Sequence, residues 1–187
     1  MKTMKMNLIS LLFLLGFFGV SVYSNSQDIK PDKKDRKEAR KAQMEVNFRV
    51  LDSILYNGRY VLEANFLQGK YGDRIPVSST LNFIRVEGPK GVLQTGSDTR
   101  QGYNGVGGVT AEGNIIYYKV GKESKNLSHT VTFNLMTNLG TYDILLTVSA
   151  DNNAVATISG STSGRLTWNG RLVAFDNSRV FKGHDTY

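Results

Sequence analysis

Cysteine is missing from this chain altogether. No disulfide therefore staples the fold, no thiolate serves as a nucleophile, and no cysteine follows the N-terminal apolar run to take a lipid. Histidine is nearly missing too. His129 opens an alternating stretch, His184 stands in the final "KGHDTY", and neither has a second His, Glu or Asp at metal-ligand spacing. That argues against a histidine-based zinc site, and no Asp-x-Asp-x-Asp calcium loop occurs either. Lysine is absent from the glycine-rich stretch "QGYNGVGGVTAEG", Gln101 to Gly113. A phosphate-binding P-loop needs Lys and Ser or Thr after its second glycine, so that reading fails. The dinucleotide fingerprint fails as well, because Thr110 stands where the third glycine belongs and "NIIYYKVG" follows as a strand rather than a helix.

Long apolar runs are confined to the start. In "MKTMKMNLISLLFLLGFFGVSVYSNSQ", Lys2 and Lys5 precede an apolar run from Leu8 to Val22, and small polar residues follow. This is the three-part pattern of an export signal, with Val22-Tyr23-Ser24 or Ser24-Asn25-Ser26 suited to cleavage. A membrane anchor needs about 20 apolar residues, and this run is shorter. Residues 1–26 are expected to be the signal, 27–43 a charged arm or exposed start of a helix, and 44–187 a single β-rich domain including the docking helix. The mature protein is then periplasmic or secreted, with no stable membrane span. The formal charge of +7 sits near the ends of the chain: eight basic residues face five acids between Asp28 and Arg49, and the remainder after Arg49 carries +2. A body so near neutral gives no electrostatic argument for nucleic acid.

Without disulfides, stability has to come from burial. Met44, Phe48, Leu51 and Leu55 recur at helical spacing, Val46, Val50 and Ile54 widen the apolar face, and Asn57-Gly58 closes the segment. One amphipathic helix is expected over about Asp32 to Tyr56, with Pro31 and Asp32 suited to its start. Its basic first half reads either as a membrane-surface contact or as a solvated lead-in, and the interspersed acids favour the second. After Gly58 the period falls to two. Tyr60, Leu62, Ala64 and Phe66 share one face, as do Val131, Phe133 and Leu135, and Tyr142, Ile144, Leu146 and Val148. Further strands are expected at Leu81–Glu87, Gly91–Thr95, Ile115–Val120, Ala154–Gly160, Arg165–Trp168 and Arg171–Phe175. Turns are expected at Glu87-Gly88-Pro89, Gly113-Asn114, Asp151-Asn152-Asn153 and Asn169-Gly170. The fold class is mainly β: an N-terminal helix, then about nine antiparallel strands as a curled sheet, sandwich or barrel.

Within the glycine stretch this reading places a turn at Asn104-Gly105 and a close backbone approach at Gly107-Gly108. The stretch is a strand-to-strand connection that also has the make-up of a ligand-facing loop. Together with Asn82-Phe83, Leu93-Gln94 and the C-terminal "GRLTWNGRLV", "GYNGVGGVTAEGNI" resembles a Bacteroidetes family of exported proteins, the domain of unknown function 4251 family. The resemblance covers most of the chain after the signal, and the Asn-Gly-x-Gly-Gly-x-Thr core is its most specific part. It implies an envelope location, a signal peptide and one compact domain. It brings no activity, cofactor or catalytic residue with it.

Catalytic constellations are not apparent. "GSTSG", Gly160 to Gly164, centres on Thr162 with no following helix, which suits a hairpin turn rather than a nucleophile elbow. Glu63, Glu87, Glu112, Asp143 and Asp151 fall at turns or wet faces rather than as a pair flanking one bond. The leading expectation is a non-catalytic protein, without cofactor or metal, whose sheet offers a small apolar or glycan-like ligand a cavity or groove. Its candidate contacts are Arg85, Gln94, Tyr103, Asn104, Gly107, Gly108 and Tyr117. Arg85 shares its strand face with Leu81 and Phe83, which places it at a sheet rim or in a polar cavity. Tyr117 and Tyr118 are adjacent, so one points in and the other out. The alternative is an envelope interaction or scaffold protein acting on a protein partner through its arm or a sheet edge; a carboxylate hydrolase is a third, weaker reading.

Overall fold

The computed structural model describes residues 32–99, 102, 104–160 and 164–186. The expected export signal, Tyr103 and Thr162 lie outside the described residues. Helix α1 spans Lys33–Tyr56. The Asp32 carboxylate accepts the first helical N–H, from Lys33, and Gly58 ends the segment at φ +60°, as the residue types at both ends dictate. Nine strands follow: β1 (Arg59–Gln68), β2 (Arg74–Pro76), β3 (Phe83–Glu87), β4 (Lys90–Thr95), β5 (Val109–Glu123), β6 (Ser128–Thr137), β7 (Gly140–Ser149), β8 (Asn153–Gly160) and β9 (Arg165–Ala174). All pairings are antiparallel, and β9 returns to β1 with Tyr60 opposite Ala174 and Gln68 opposite Thr167. β1 and β3 to β9 thus close an eight-stranded barrel, with β2 a short flap on the far end of β1.

Strand alternation sends one face of each strand inward. Tyr60, Leu62, Ile84, Val131, Phe133, Leu135, Ile144, Leu146 and Trp168 form one continuous interior cluster. A barrel of eight strands either fills its interior with side chains or encloses one small ligand, and here the apolar cluster occupies it. Leu51 and Leu55 of α1 join the same cluster, so the helix closes one end. Phe48 stacks on the His129 ring there, with centroids 4.4 Å apart. The first part of α1, residues 33–43, is exposed on every side.

Three expectations about the strands are corrected. Gly113-Asn114 is not a turn: β5 runs straight through it, and a Cβ on Gly113 would overlap the Met136 carbonyl of β6. Asn169-Gly170 is not a hairpin either. The two strands expected around it are one, β9, and a Cβ on Gly170 would overlap the Glu63 carbonyl of β1. Both glycines mark places where neighbouring backbones crowd together. Phe66 leaves the face of Tyr60, Leu62 and Ala64, because a bulge between Ala64 and Phe66 shifts the register. Leu67 packs inward instead, and Phe66 lies under the Arg74 guanidinium, 3.9 Å from its ring centroid.

Candidate functional site

The outer face of β3, β4 and β5 is where the candidate residues gather. Alternation turns Val92, Gln94, Thr110 and Glu112 away from the barrel interior, where a strand normally meets water. Yet Gln94 and Thr110 are fully buried, together with Asn82 and Asn104. The cause is the C-terminal segment, residues 178–186, which crosses this face in extended form after a short 3-10 turn at Phe175–Asn177.

Each buried amide is matched to partners, as burial requires. Gln94 donates from Nε2 to the carbonyls of Leu81 (3.1 Å) and Phe181 (2.8 Å). Its Oε1 accepts the Thr110 hydroxyl (3.0 Å) and the Gly183 N–H (2.8 Å). Asn104 donates from Nδ2 to Thr110 Oγ1 (3.0 Å), while its Oδ1 accepts the N–H groups of Val106 and Gly108, each at 3.1 Å. The glycine stretch is therefore wrapped around the Asn104 side chain. Gly107 supplies a φ of +72°, and a Cβ on Gly108 would overlap the Thr95 carbonyl. Asn82 ties the neighbouring loop, donating to Ser78 and Gly96 carbonyls and accepting the Gly96 N–H. Beside this network Val61, Phe83 and Val92 make a small outer core with Val173, Phe175 and Val180.

Arg85 sits at neither a rim nor a polar cavity. Its guanidinium lies 4.5 Å from the centroid of the Phe175 ring, with that of Arg59 at 4.6 Å. Glu87 pairs with both arginines, and the Arg85 hydrogen bond, more than Arg59, holds its carboxyl below the usual range. Arg85 thus anchors the turn that launches the C-terminal segment. Gln94, Asn104, Gly107 and Gly108 come together as one clamp, Arg85 flanks it, and Tyr117 lies elsewhere.

Tyr117 belongs to a depression at the helix-closed end. A bulge at Ile116 breaks the register between β5 and β6; Ile116 and Tyr117 are exposed there, at 59% and 48%, and the nearby Tyr56 of α1 is exposed at 63%. Tyr118 turns inward as its parity requires, donating to the Leu55 carbonyl at 2.6 Å, and burial raises its pKa. Tyr56, Gly58, Pro89, Ile116, Tyr117 and Tyr118 line this depression, whose volume is about 360 Å³.

The carboxylates lie apart and each is engaged. Glu63 accepts the Ser178 hydroxyl, Glu112 pairs with Lys182, Asp143 accepts the Asn134 amide, and Asp151 accepts the Ser149 hydroxyl. Among the described residues, no three His, Asp or Glu side chains stand close enough to hold a metal, and no helix is long and apolar enough to cross a membrane.

A family model for a domain of unknown function, DUF4251, matches residues 40–172. The chain belongs to the DUF4251 family. Among solved structures, the crystal structure of a DUF4251 family protein from Bacteroides eggerthii DSM 20697 is similar at 29% identity and a TM-score of 0.61. It covers 73% of this chain and 93% of that one. No curated protein matches. Asn82, Gln94, Asn104, Gly108 and Thr110 all lie inside the DUF4251 span, whereas the segment they hold lies beyond its end at Leu172. Sequence reading missed that segment, and with it Thr110 and Gly183. The amide of Gln94, on the outward parity of β4, was the available signal that something covers this face.

Proposed function

We propose that this DUF4251 protein is an exported, non-catalytic binding protein that takes a small amphipathic, glycan-like ligand in the tyrosine-lined depression. The observation that carries the reading is the Ile116 bulge, which turns Ile116 and Tyr117 outward beside Tyr56. Bulges re-aim side chains next to binding sites, and tyrosine offers a flat apolar face with a polar tip that suits a sugar ring. The apolar cluster that occupies the interior, with Tyr60, Phe133 and Trp168, favours the surface as the place for a ligand. Export to the periplasm or beyond is supported by the apolar run Leu8 to Val22 after Lys2 and Lys5. A non-catalytic role is supported by carboxylates that are separately engaged rather than paired across one cleft. Saturation-transfer NMR with gluco-, manno- and N-acetylglucosamine trisaccharides tests it. Signal transfer to at least one trisaccharide, lost in Tyr117→Ala, is expected; no transfer to any, or transfer unchanged by the substitution, overturns the assignment.

A second reading rests on α1. Lys33, Lys34, Arg36, Lys37, Arg40 and Lys41 against Asp35 and Glu38 leave its exposed first half basic and unpacked, which suits contact with an acidic envelope protein. Deleting residues 28–41 then removes a co-purifying partner while leaving the melting temperature within about 2 °C. Unchanged partner recovery excludes an arm-mediated contact.

A further inference from the structure

Residues 178–186 lie along a groove on the outer face of β3 to β5. Recognition is mostly through main-chain atoms. The Thr80 carbonyl accepts the Phe181 N–H (2.9 Å), the Asn104 carbonyl that of His184 (3.0 Å), and the Thr110 carbonyl that of Thr186 (2.8 Å). Gln94 takes the Phe181 carbonyl and the Gly183 N–H, both at 2.8 Å. Side chains supply selectivity at alternating positions. Ser178 donates to Glu63 (2.7 Å), Val180 enters the pocket of Val61, Phe83 and Val92, and Thr186 Oγ1 accepts the Thr110 N–H (3.0 Å). At Gly183 a Cβ would overlap the Asn104 carbonyl, so only glycine fits. Main-chain bonds for affinity and spaced pockets for choice are the physics of extended-peptide recognition.

The groove residues are also bonded to one another. Asn104 donates to Thr110, Thr110 to Gln94, and Gln94 to the Leu81 carbonyl, a relay complete without the segment. Conversely, Arg179, Phe181 and His184 face solvent, Phe181 at 62% exposure, while Lys182 pairs with Glu112 and the Asp185 carboxylate accepts the Glu112 N–H at the edge of the groove. The groove lies within the DUF4251 span and the segment beyond it.

We infer that this groove is a peptide-recognition site and that residues 178–186 are its exchangeable occupant. The incoming ligand is an extended segment of a partner protein with a valine-sized residue at the place of Val180 and glycine at the place of Gly183. Tethering gives the resident segment an effective concentration on the order of millimolar, so it acts as a built-in competitor that sets an affinity threshold for partners.

The test uses the full chain carrying Gly183→Val, which evicts the resident segment, and a fluorescein-labelled synthetic peptide of residues 177–187 read by anisotropy. The variant is expected to bind the peptide at least about tenfold more tightly than the unaltered chain, whose groove is already filled. Binding is expected to vanish when Gln94→Ala is added, or when the peptide carries valine for Gly183. A folded Gly183→Val chain that ignores the peptide, or that binds both peptides equally, overturns the inference. Should the variant not fold, amide exchange in the unaltered chain decides. Gly183, His184 and Thr186 are expected to exchange about 100-fold faster than Val131 and Phe133, through local opening. Equal protection would mean that the segment leaves only with global unfolding, and the groove is then no exchange site.

Discussion

Replacing Asp52 with alanine tests how the helix is fastened to the barrel. Asp52 accepts from Lys122 and lies 3.0 Å from Nε2 of His129, whose side chain is fully buried. Nδ1 of that imidazole already has no hydrogen-bond partner. Without Asp52 both ring nitrogens are buried and unmatched, which costs about 1–3 kcal/mol. Lys122 is partly exposed and returns to water, so losing its ion pair adds only about 0–1 kcal/mol. A net destabilisation of about 1–4 kcal/mol is expected, equivalent to a melting temperature lower by about 2–16 °C for a domain of this size. Asp52→Asn keeps an acceptor for His129 and is expected to lose about 1 kcal/mol. The gap also carries a pH signature. The Lys122 hydrogen bond, aided by His129, holds the Asp52 carboxyl below its ordinary value of 3.8. A depressed folded value means that the contribution is fully present above the unfolded one and disappears as pH falls through the folded one. Urea unfolding followed by circular dichroism should therefore show a constant Asp52 contribution down to about pH 4 and a shrinking one below it. An alanine variant within about 0.5 kcal/mol of wild type, or a gap undiminished near about pH 2.5, refutes this account of the latch.

Gln94→Leu strips the clamp of its central amide and leaves the Thr110 hydroxyl and the Leu81 carbonyl short of partners; a loss of about 2–4 kcal/mol in urea unfolding is expected, and under about 1 kcal/mol would contradict the burial of this network. Gly113→Ala pushes a methyl into the Met136 carbonyl; a loss of about 3 kcal/mol or more, or failure to accumulate soluble protein, is expected, whereas a neutral result would mean that β5 and β6 part there at little cost. Tyr118→Phe removes the hydrogen bond to Leu55 and should cost about 1 kcal/mol, with faster amide exchange across the last turn of α1 as the local readout.

The helix and most strands were legible because their signals are local. Asp32, Asn57 and Gly58 bound α1, and the alternation in Tyr142 to Val148 named the buried face of β7 correctly. Gly113 and Gly170 misled because a glycine that lets two strands crowd together looks, in sequence, like a glycine that turns the chain. What separates the two is the carbonyl of a residue far away, Met136 for one and Glu63 for the other. The same limit governed the site. Gln94, Asn104, Gly107 and Gly108 were among seven candidates that nothing in the sequence grouped, because the partner they share is an irregular extended segment with no period to read. The parity of Tyr117 and Tyr118 was readable, while the bulge that exposes Ile116 was not.

Closing the ring has a kinetic consequence. The pairing that seals the barrel joins Tyr60 to Ala174 and Gln68 to Thr167, strands at opposite ends of the folded body. Contacts so distant in sequence incur most of their loop-closure entropy before they form, which places such topologies among the slow folders, at about milliseconds to seconds. Until β9 arrives, β1 and β8 each present an unpaired edge, the template on which other chains pair. A chain that ends before Arg165 therefore never loses those edges, and its fate is aggregation rather than a smaller, looser barrel.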